Sequence, residues 1–308
     1  MRFLDLFSGI GGFRLGLERS GHTPVGYVEI DKFARQSYQA MYDTDGEWTA
    51  EDINQVTDEE WRKFNGTVEL IAGGFPCQSF SIAGKREGFL NQTKGTLFFE
   101  VARAVKQIKP RFVFLENVKG LLNHDKGNTF RTILNTFDEL GYDVEWRVLN
   151  SKNFGVPQNR ERVYIIGHLR GDSGREVLSI FGEDREVNPT NVKQIGNISD
   201  SNSFGGNPQT GRVYSNDGLS PTLNTMQGGG REPKVLVVES TINISQATIT
   251  DEYHIRKLTP RECWRLQAFP DELFDKAQQA GLSDSQLYKQ AGNSVTVNVI
   301  EYIGGLLL

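Results

Sequence analysis

Over its first half the chain alternates short apolar runs with amphipathic stretches, and this alternation limits its fold more than any other feature. Apolar runs fall at residues 3–7, 24–28, 68–72, 112–115, 144–149 and 163–166, with amphipathic stretches at 32–41, 97–108 and 129–140 between them. Runs this short suit strands covered on both faces better than buried helices. Strand, helix, strand in repetition predicts a mostly parallel sheet with helices on both faces, an α/β architecture. Asn128 is placed to cap the third of these helices and Gly141 to end it.

Beyond residue 169 the texture changes. Residues 200–230 are rich in Ser, Asn, Gly and Thr and contain Pro208 and Pro221; an apolar run at 235–238 follows Gly228-Gly229-Gly230. A helical pattern returns at 260–266, and residues 295–308 are apolar enough to be buried. The expected organisation is a large α/β domain over 1–185 completed by 280–308, a smaller, loop-rich, mainly β domain over 186–252, and a hinge with a connecting helix over 253–279. The 308 residues suffice for a large core without a staple. Two cysteines, Cys77 and Cys263, and four scattered histidines give neither a disulfide framework nor zinc-ligand spacing, so no metal site is expected and the redox setting reads as cytoplasmic. No run approaches the roughly 18 apolar residues of a membrane span. A net charge of −5 argues against a nucleic-acid partner unless basic residues gather on one face.

Chemistry concentrates where strands are predicted to end. Phe7-Ser8-Gly9-Ile10-Gly11-Gly12 follows the first strand and opens a helix, a setting where backbone can approach a ligand and free N–H groups are presented. Glu29, at the end of the second strand, is placed to accept hydrogen bonds from both hydroxyls of a ribose, and Asp52 from an adenine amino group. Arg14 stands where the dinucleotide fingerprint has its third glycine, so the pattern indicates an adenosine cofactor without choosing between NAD and another.

Gly73-Gly74-Phe75-Pro76-Cys77-Gln78-Ser79-Phe80-Ser81 follows the strand at 68–72. A lone cysteine is more often a buried core residue, but turn chemistry and two serines surround this one. A glycine-hinged basic loop, residues 82–88, comes next, as suits a nucleophile that is covered when it reacts. Glu116-Asn117-Val118 ends the next strand, which makes Glu116 a candidate acid or hydrogen-bond partner for Cys77. Gln158-Asn159-Arg160-Glu161-Arg162 precedes another strand and could aim a guanidinium into the same pocket.

These segments occur in order with Arg256-Lys257-Leu258-Thr259-Pro260-Arg261-Glu262-Cys263 and Gln290-Ala291-Gly292-Asn293-Ser294-Val295. Together they resemble the DNA (cytosine-5)-methyltransferases of prokaryotic restriction–modification systems and phages, over nearly the whole chain apart from residues 171–250. The resemblance implies a Rossmann-like, S-adenosylmethionine-dependent methyltransferase fold, with residues 186–252 as a target-recognition domain. It implies methyl transfer to C5 of a cytosine flipped out of a specific short duplex site, through a covalent bond from Cys77 to C6, with S-adenosylhomocysteine as product. Glu116 would contact N3 and the exocyclic amine, Arg162 the O2 atom, with Arg160 beside it, and the Phe75 carbonyl would accept from the amine.

By the same resemblance Phe7, Gly9, Ile10, Gly11, Gly12, Glu29, Ile30, Asp52, Ile53, Pro76, Leu97, Asn293, Ser294 and Val295 would form the cofactor pocket, with Ile30 on the adenine face. Ser79, Ser81, Lys85, Arg160, Thr222, Arg231 and Lys234 would contact DNA. Arg86, Lys94, Arg160, Arg162, Arg231, Lys234, Arg256 and Lys257 would supply the basic face that the net charge conceals. Cys263 reads as core. The implied partner is double-stranded DNA, with a cognate restriction endonuclease acting on the same site without a stable complex; no membrane is implied, and the chain would be a monomer. Two alternatives stand beside this reading: an RNA (tRNA) cytosine-5 methyltransferase of the same fold, and a regulatory homologue that has lost catalysis. The recognition segment of roughly 80 residues and the intact Cys77, Glu116 and Arg162 weigh against them.

Overall fold

The predicted strands form in a computed structural model, which describes residues 1–76, 97–171, 177–178, 191–199, 207–226, 230–243 and 248–308; for 239–243 and 248–252 the description is of backbone alone. The chain divides into two compact units, one of Met1–Asn150, Glu161–Arg185 and Ser294–Leu308, the other of Ser151–Arg160 and Glu186–Asn293.

In the first unit β1 (Arg2–Leu6), α1 (Gly12–Arg19), β2 (Thr23–Val28), α2 (Lys32–Met41), β3 (Trp48–Ala50) and α3 (Asp58–Arg62) are followed by β4 (Leu70–Gly74), α4 (Leu97–Ile108), β5 (Phe112–Val118), α5 (Asn128–Glu139) and β6 (Tyr142–Asn150). After the two-residue β7 (Gln158–Asn159), which belongs to the second unit, β8 (Glu161–Leu169) completes a seven-stranded sheet in the order β3-β2-β1-β4-β5-β8-β6. The pairs from β3 to β5 are parallel, and β8 runs antiparallel to both its neighbours. Burial on both faces explains why these strands read as continuous apolar runs: Leu4, Leu6, Ile71, Val113, Leu115, Val163 and Ile165 are buried on one face, and Phe3, Leu70, Ala72, Phe114, Tyr164 and Ile166 on the other.

The helix over 97–108 forms as its pattern predicts and buries Phe98, Val101, Ala104, Val105 and Ile108. At α5 the expected cap is corrected. Gly127, in the left-handed region, takes the N-cap position and Asn128 is the first helical residue, while Gly141 follows the C-cap Leu140 with φ +86°. The apolar C-terminal segment forms α9 (Val297–Leu306), which returns to the first unit. Gly16 of α1 lies so close to Ile300 that a Cβ there would come within 2.6 Å of it, and His22 Nε2 lies 2.9 Å from the Gly304 carbonyl.

The second unit holds β9 (Gln194–Asn197), β10 (Arg212–Ser215), β11 (Ser220–Pro221), β12 (Lys234–Asn243) and β13 (Thr248–Lys257), with four of these strands in a sheet ordered β13-β12-β10-β9. It also takes in α6 (Pro260–Arg265), α7 (Asp271–Gln279) and α8 (Asp284–Asn293), a stretch the sequence reading divided between a hinge and the large domain. Helix α6 starts at a capping box in which the Thr259 side chain accepts from Glu262 N and the Glu262 carboxylate accepts from Thr259 N. Cys263, inside this helix, is fully buried, and burial pushes its thiol pKa up to about 12. No described helix is long and apolar enough to cross a membrane.

Candidate active site

Strand order reverses about β1, whose neighbours are β2 and β4, and parallel strands open a ligand crevice beyond their carboxyl ends at such a point. The register sets which residues meet there. Leu6 pairs with both Val28 and Gly73, and Gly74 pairs with Glu116. The segments beginning at Phe7, Glu29 and Phe75 therefore leave the sheet at one edge, where Glu116 stands on β5 beside Gly74. Gly73 is required by closeness, since a Cβ there would lie 2.1 Å from the Leu6 carbonyl oxygen.

After β1 the chain turns through Phe7 (φ 56°), Gly9 (φ 55°) and Gly11 (φ 77°), all in the left-handed region. Phe7 holds this conformation without the freedom of glycine, a strain found chiefly where surrounding contacts over-determine the backbone. Glu29 is 9% exposed; its Oε2 accepts from Gly9 N at 2.7 Å and its Oε1 from Asp31 N at 2.7 Å. Burial pushes its pKa above the ordinary carboxylate value, and the two amide bonds hold it down in part. Arg35 fixes the adjoining backbone by donating to the carbonyls of Glu29 and Ile30.

These residues fit an adenosine cofactor. One bond to each oxygen leaves lone pairs on Glu29 for ribose hydroxyls. Space is open beside Gly9, where a Cβ would meet nothing within 4 Å, and the buried Ser8 hydroxyl has no hydrogen-bond partner among the described residues. Ile30 is 69% exposed, an apolar side chain free to cover a flat base. Asp52 caps the turn over 53–55, accepting from Asn54 N. The side chains of Ile10 and Ile53 are buried, which leaves their main chain to face a ligand. Val295 and Ser294 come against the loop, within 2.7 and 2.9 Å of where a Gly12 Cβ would stand. Leu97 is half-buried at the start of α4, Pro76 is exposed, and Asn293 is an exposed residue ending α8 in the second unit.

On the neighbouring strands Glu116, 8% exposed, lies with Oε1 3.0 Å from Arg162 Nε. The antiparallel entry of β8 brings this about by pairing Arg162 with Val118, two residues beyond Glu116 on the same face of β5. Arg162 Nη1 also donates to the Glu161 carbonyl at 2.8 Å. A Cβ on Gly74 would stand 3.2 Å from Glu116 Oε2, so the glycine leaves room for the carboxylate.

Asn117 contributes a contact that the sequence reading did not foresee. Its Nδ2 donates to the Phe75 carbonyl at 2.7 Å, and its Oδ1 accepts from Val118 N at 2.8 Å. It thereby fixes the residue two before Cys77. The available signal was an amide residue directly after the strand-end glutamate. Cys77, Ser79, Ser81 and Lys85 lie outside the described residues.

Several residues expected at the DNA make hydrogen bonds within the second unit. Arg160 is 3% exposed and donates to the carbonyls of Leu223 and Gly292, both at 3.3 Å. Gln158 Nε2 donates to the Leu266 carbonyl and its Oε1 accepts from Leu223 N, while Thr222 Oγ1 donates to the Asn159 carbonyl at 2.6 Å. Gly292 lets helix α8 approach Asn224, whose carbonyl oxygen would lie 2.0 Å from a Cβ there. Segments far apart in sequence are thus riveted together within the second unit, and Arg160 is one of the rivets, its guanidinium engaged by main-chain carbonyls.

Lys234, 8% exposed, donates from Nζ to the carbonyls of Thr210 and Gly230 at 2.5 and 2.7 Å. Arg256 pairs with Glu262 at 2.8 Å, and Lys257 with Glu232 at 3.2 Å. Arg86 and Lys94 lie outside the described residues. Of the expected basic face, Arg231 is exposed and has no carboxylate partner among the described residues.

A mostly parallel sheet with a glycine turn after β1, an acid after β2 and a Glu–Arg pair bridging β5 and β8 defines a Rossmann-like methyltransferase. The family model for C-5 cytosine-specific DNA methylases matches residues 1–234 and 183–307, and the chain belongs to that family. It is 38% identical to the type II methyltransferase M.HpaII of Haemophilus parainfluenzae, covering 99% of this chain and 88% of that one. It is 33% identical to the orphan methyltransferase M.SPRI of Bacillus phage SPR, over 98% and 96% of the two chains. The solved Dnmt2 methyltransferase of S. pombe shares the fold at a TM-score of 0.70 and 20% identity, over 100% of this chain and 98% of that one.

Proposed function

We propose that this chain transfers a methyl group from S-adenosylmethionine to C5 of cytosine within a specific short site in double-stranded DNA. The observation that carries the reading is the shared strand edge. Glu29 and the Phe7–Gly12 turn leave β2 and β1 beside the strand that leads through Phe75 and Pro76 to Cys77, and Glu116 with Arg162 stands on the next. The bound cofactor supplies an electrophilic methyl group.

Cytosine C5 is a weak nucleophile, so a covalent detour lowers the barrier. The Cys77 thiolate adds to C6, the electron pair displaced toward C5 takes the methyl, and loss of the C5 proton expels Cys77. Glu116 contacts N3 and the exocyclic amine where charge develops, and Arg162 both orients Glu116 and reaches O2. Asn117 holds the Phe75 carbonyl, whose second lone pair accepts from the amine of cytosine. A base inside a duplex is out of reach of such a pocket, so the target cytosine is flipped out at a cost of a few kcal/mol. Residues 186–252 would recognise the site, and a restriction endonuclease reading the same sequence is the natural companion.

Bisulfite sequencing of DNA from cells expressing the chain tests the proposal. Protected cytosines within one recurring sequence are the expected result. Protection confined to RNA would favour a tRNA-type activity, and no protection would favour a non-catalytic binder.

A further inference from the structure

Behind the glycine turn lies a buried polar cluster that the reaction does not call on. Arg14, 3% exposed, reaches Glu47 from Nη1 at 2.9 Å, Glu18 from Nε at 3.2 Å and the Asp43 carbonyl from Nη2 at 2.8 Å. Its guanidinium lies over the ring of Tyr42, 4.7 Å from the centroid, and 5.3 Å from that of Tyr38. Planar, five-donor and weakly hydrated, an arginine can hold rings and carboxylates at once in this way; a lysine cannot. The two tyrosine rings also meet edge to face at 5.0 Å.

The cluster faces the turn through Tyr42. Its Oη lies 3.0 Å from the Gly11 carbonyl oxygen and 3.3 Å from that of Ile10, so one O–H proton is shared between them. The ring fills the space a Gly11 Cβ would occupy, with Cε2 only 2.5 Å from that position. Gly11 N donates to the Ser8 carbonyl, and Leu15 N to the Gly11 carbonyl, which ties Gly11 both to the turn and to the first turn of α1.

We propose that Tyr42, held by Arg14, is a positioning residue for the cofactor turn. It fixes the orientation of the Ile10–Gly11 and Gly11–Gly12 peptides and so keeps Gly9 and Ser8 facing the ligand. Three left-handed residues in five are poorly populated by a free chain, and a rigid ring with a hydrogen bond on the far side of the turn selects the one arrangement that receives the cofactor. Arg14, standing where the dinucleotide pattern has glycine, thus contributes to the turn from behind rather than by removing a side chain. The inference rests on the reading of this turn as the S-adenosylmethionine site.

Tyr42→Phe keeps the ring and removes the hydrogen bond. The expected result is about a five-fold rise in the calorimetric Kd for S-adenosylhomocysteine, the size of one ordinary hydrogen bond. KM for S-adenosylmethionine should rise in step, with kcat and the KM for DNA unchanged. Amides of Gly9–Gly12 should exchange faster in the ligand-free variant. Arg14→Lys, which keeps the charge but loses the planar stack, should shift cofactor affinity in the same direction. A wild-type chain that fails to bind S-adenosylhomocysteine refutes the cofactor site itself. A wild-type chain that binds, with Tyr42→Phe binding equally well or losing only thermal stability, overturns the positioning role alone.

Discussion

Buried cations organise both units, but they hold different things. In the first unit Arg14 gathers two carboxylates and two aromatic rings behind a turn whose other side is open to a ligand. In the second, Lys234 and Arg160 donate to backbone carbonyls and close loops on themselves. The difference concerns what each scaffold lacks. A parallel sheet already satisfies its backbone, so a cation beneath it is available to tune a site. A loop-rich unit with short strands leaves carbonyls unpaired, and a buried lysine or arginine with several donors satisfies them. Basic residues in such a unit are therefore weak evidence of a nucleic-acid surface until their burial is known.

This contrast can be tested from its strongest consequence downward. Cys77→Ala should reduce methyl transfer below detection while leaving the Kd for S-adenosylhomocysteine within a few-fold; measurable turnover would show that the first unit works by another route. Glu29→Ala should raise the Kd for that ligand about a hundred-fold, the loss of two charge-assisted hydrogen bonds, with the Kd for DNA unchanged in the same titrations.

The pH dependence of cofactor binding follows from Glu29. Burial raises its pKa from 4.5, so it takes up a proton at higher pH than a free glutamate. Protonation removes an acceptor, and affinity should weaken on acidification beginning above pH 4.5 in the wild type but not in Glu29→Ala.

Smaller effects separate the two kinds of cation in the second unit. Lys234→Met strips donors from buried carbonyls and should cost about 2 kcal/mol of stability in denaturant melts, without changing the salt slope of DNA binding. Arg231→Ala should leave stability untouched and lower that slope by about one, since an exposed arginine at DNA releases about one counterion. If the two residues exchanged these behaviours, the distinction between fastening and contact would fail.

Most of the first unit was legible because its strands are covered on both faces, which writes them into the sequence as plain apolar runs. The glycine turn after β1 and the position of Glu29 at the end of β2 were legible too, being fixed in place by the ends of those strands. Less visible was anything set by distant pairing. Strand β13 (Thr248–Lys257) finds its place by pairing with β12 across residues 244–247, and its alternating polar and apolar residues gave no continuous run. Arg160 and Lys234 looked like surface charges because side-chain type does not reveal which loop folds over it. Tyr42 and Asn117 reach the main chain of the turn after β1 and of Phe75 through side-chain hydrogen bonds, and such contacts appear only once two segments remote in sequence are brought together.

The burial of Cys263 has a practical side. With its pKa pushed up to about 12, this thiol is ionised to only about one part in a hundred thousand at neutral pH, and it is closed off from reagents as well. The chain has one other cysteine. Uptake of a soluble thiol reagent by the native chain is therefore not expected at Cys263, and any uptake reports on Cys77. Slowed uptake in the presence of DNA would place Cys77 at the DNA, without any engineered label.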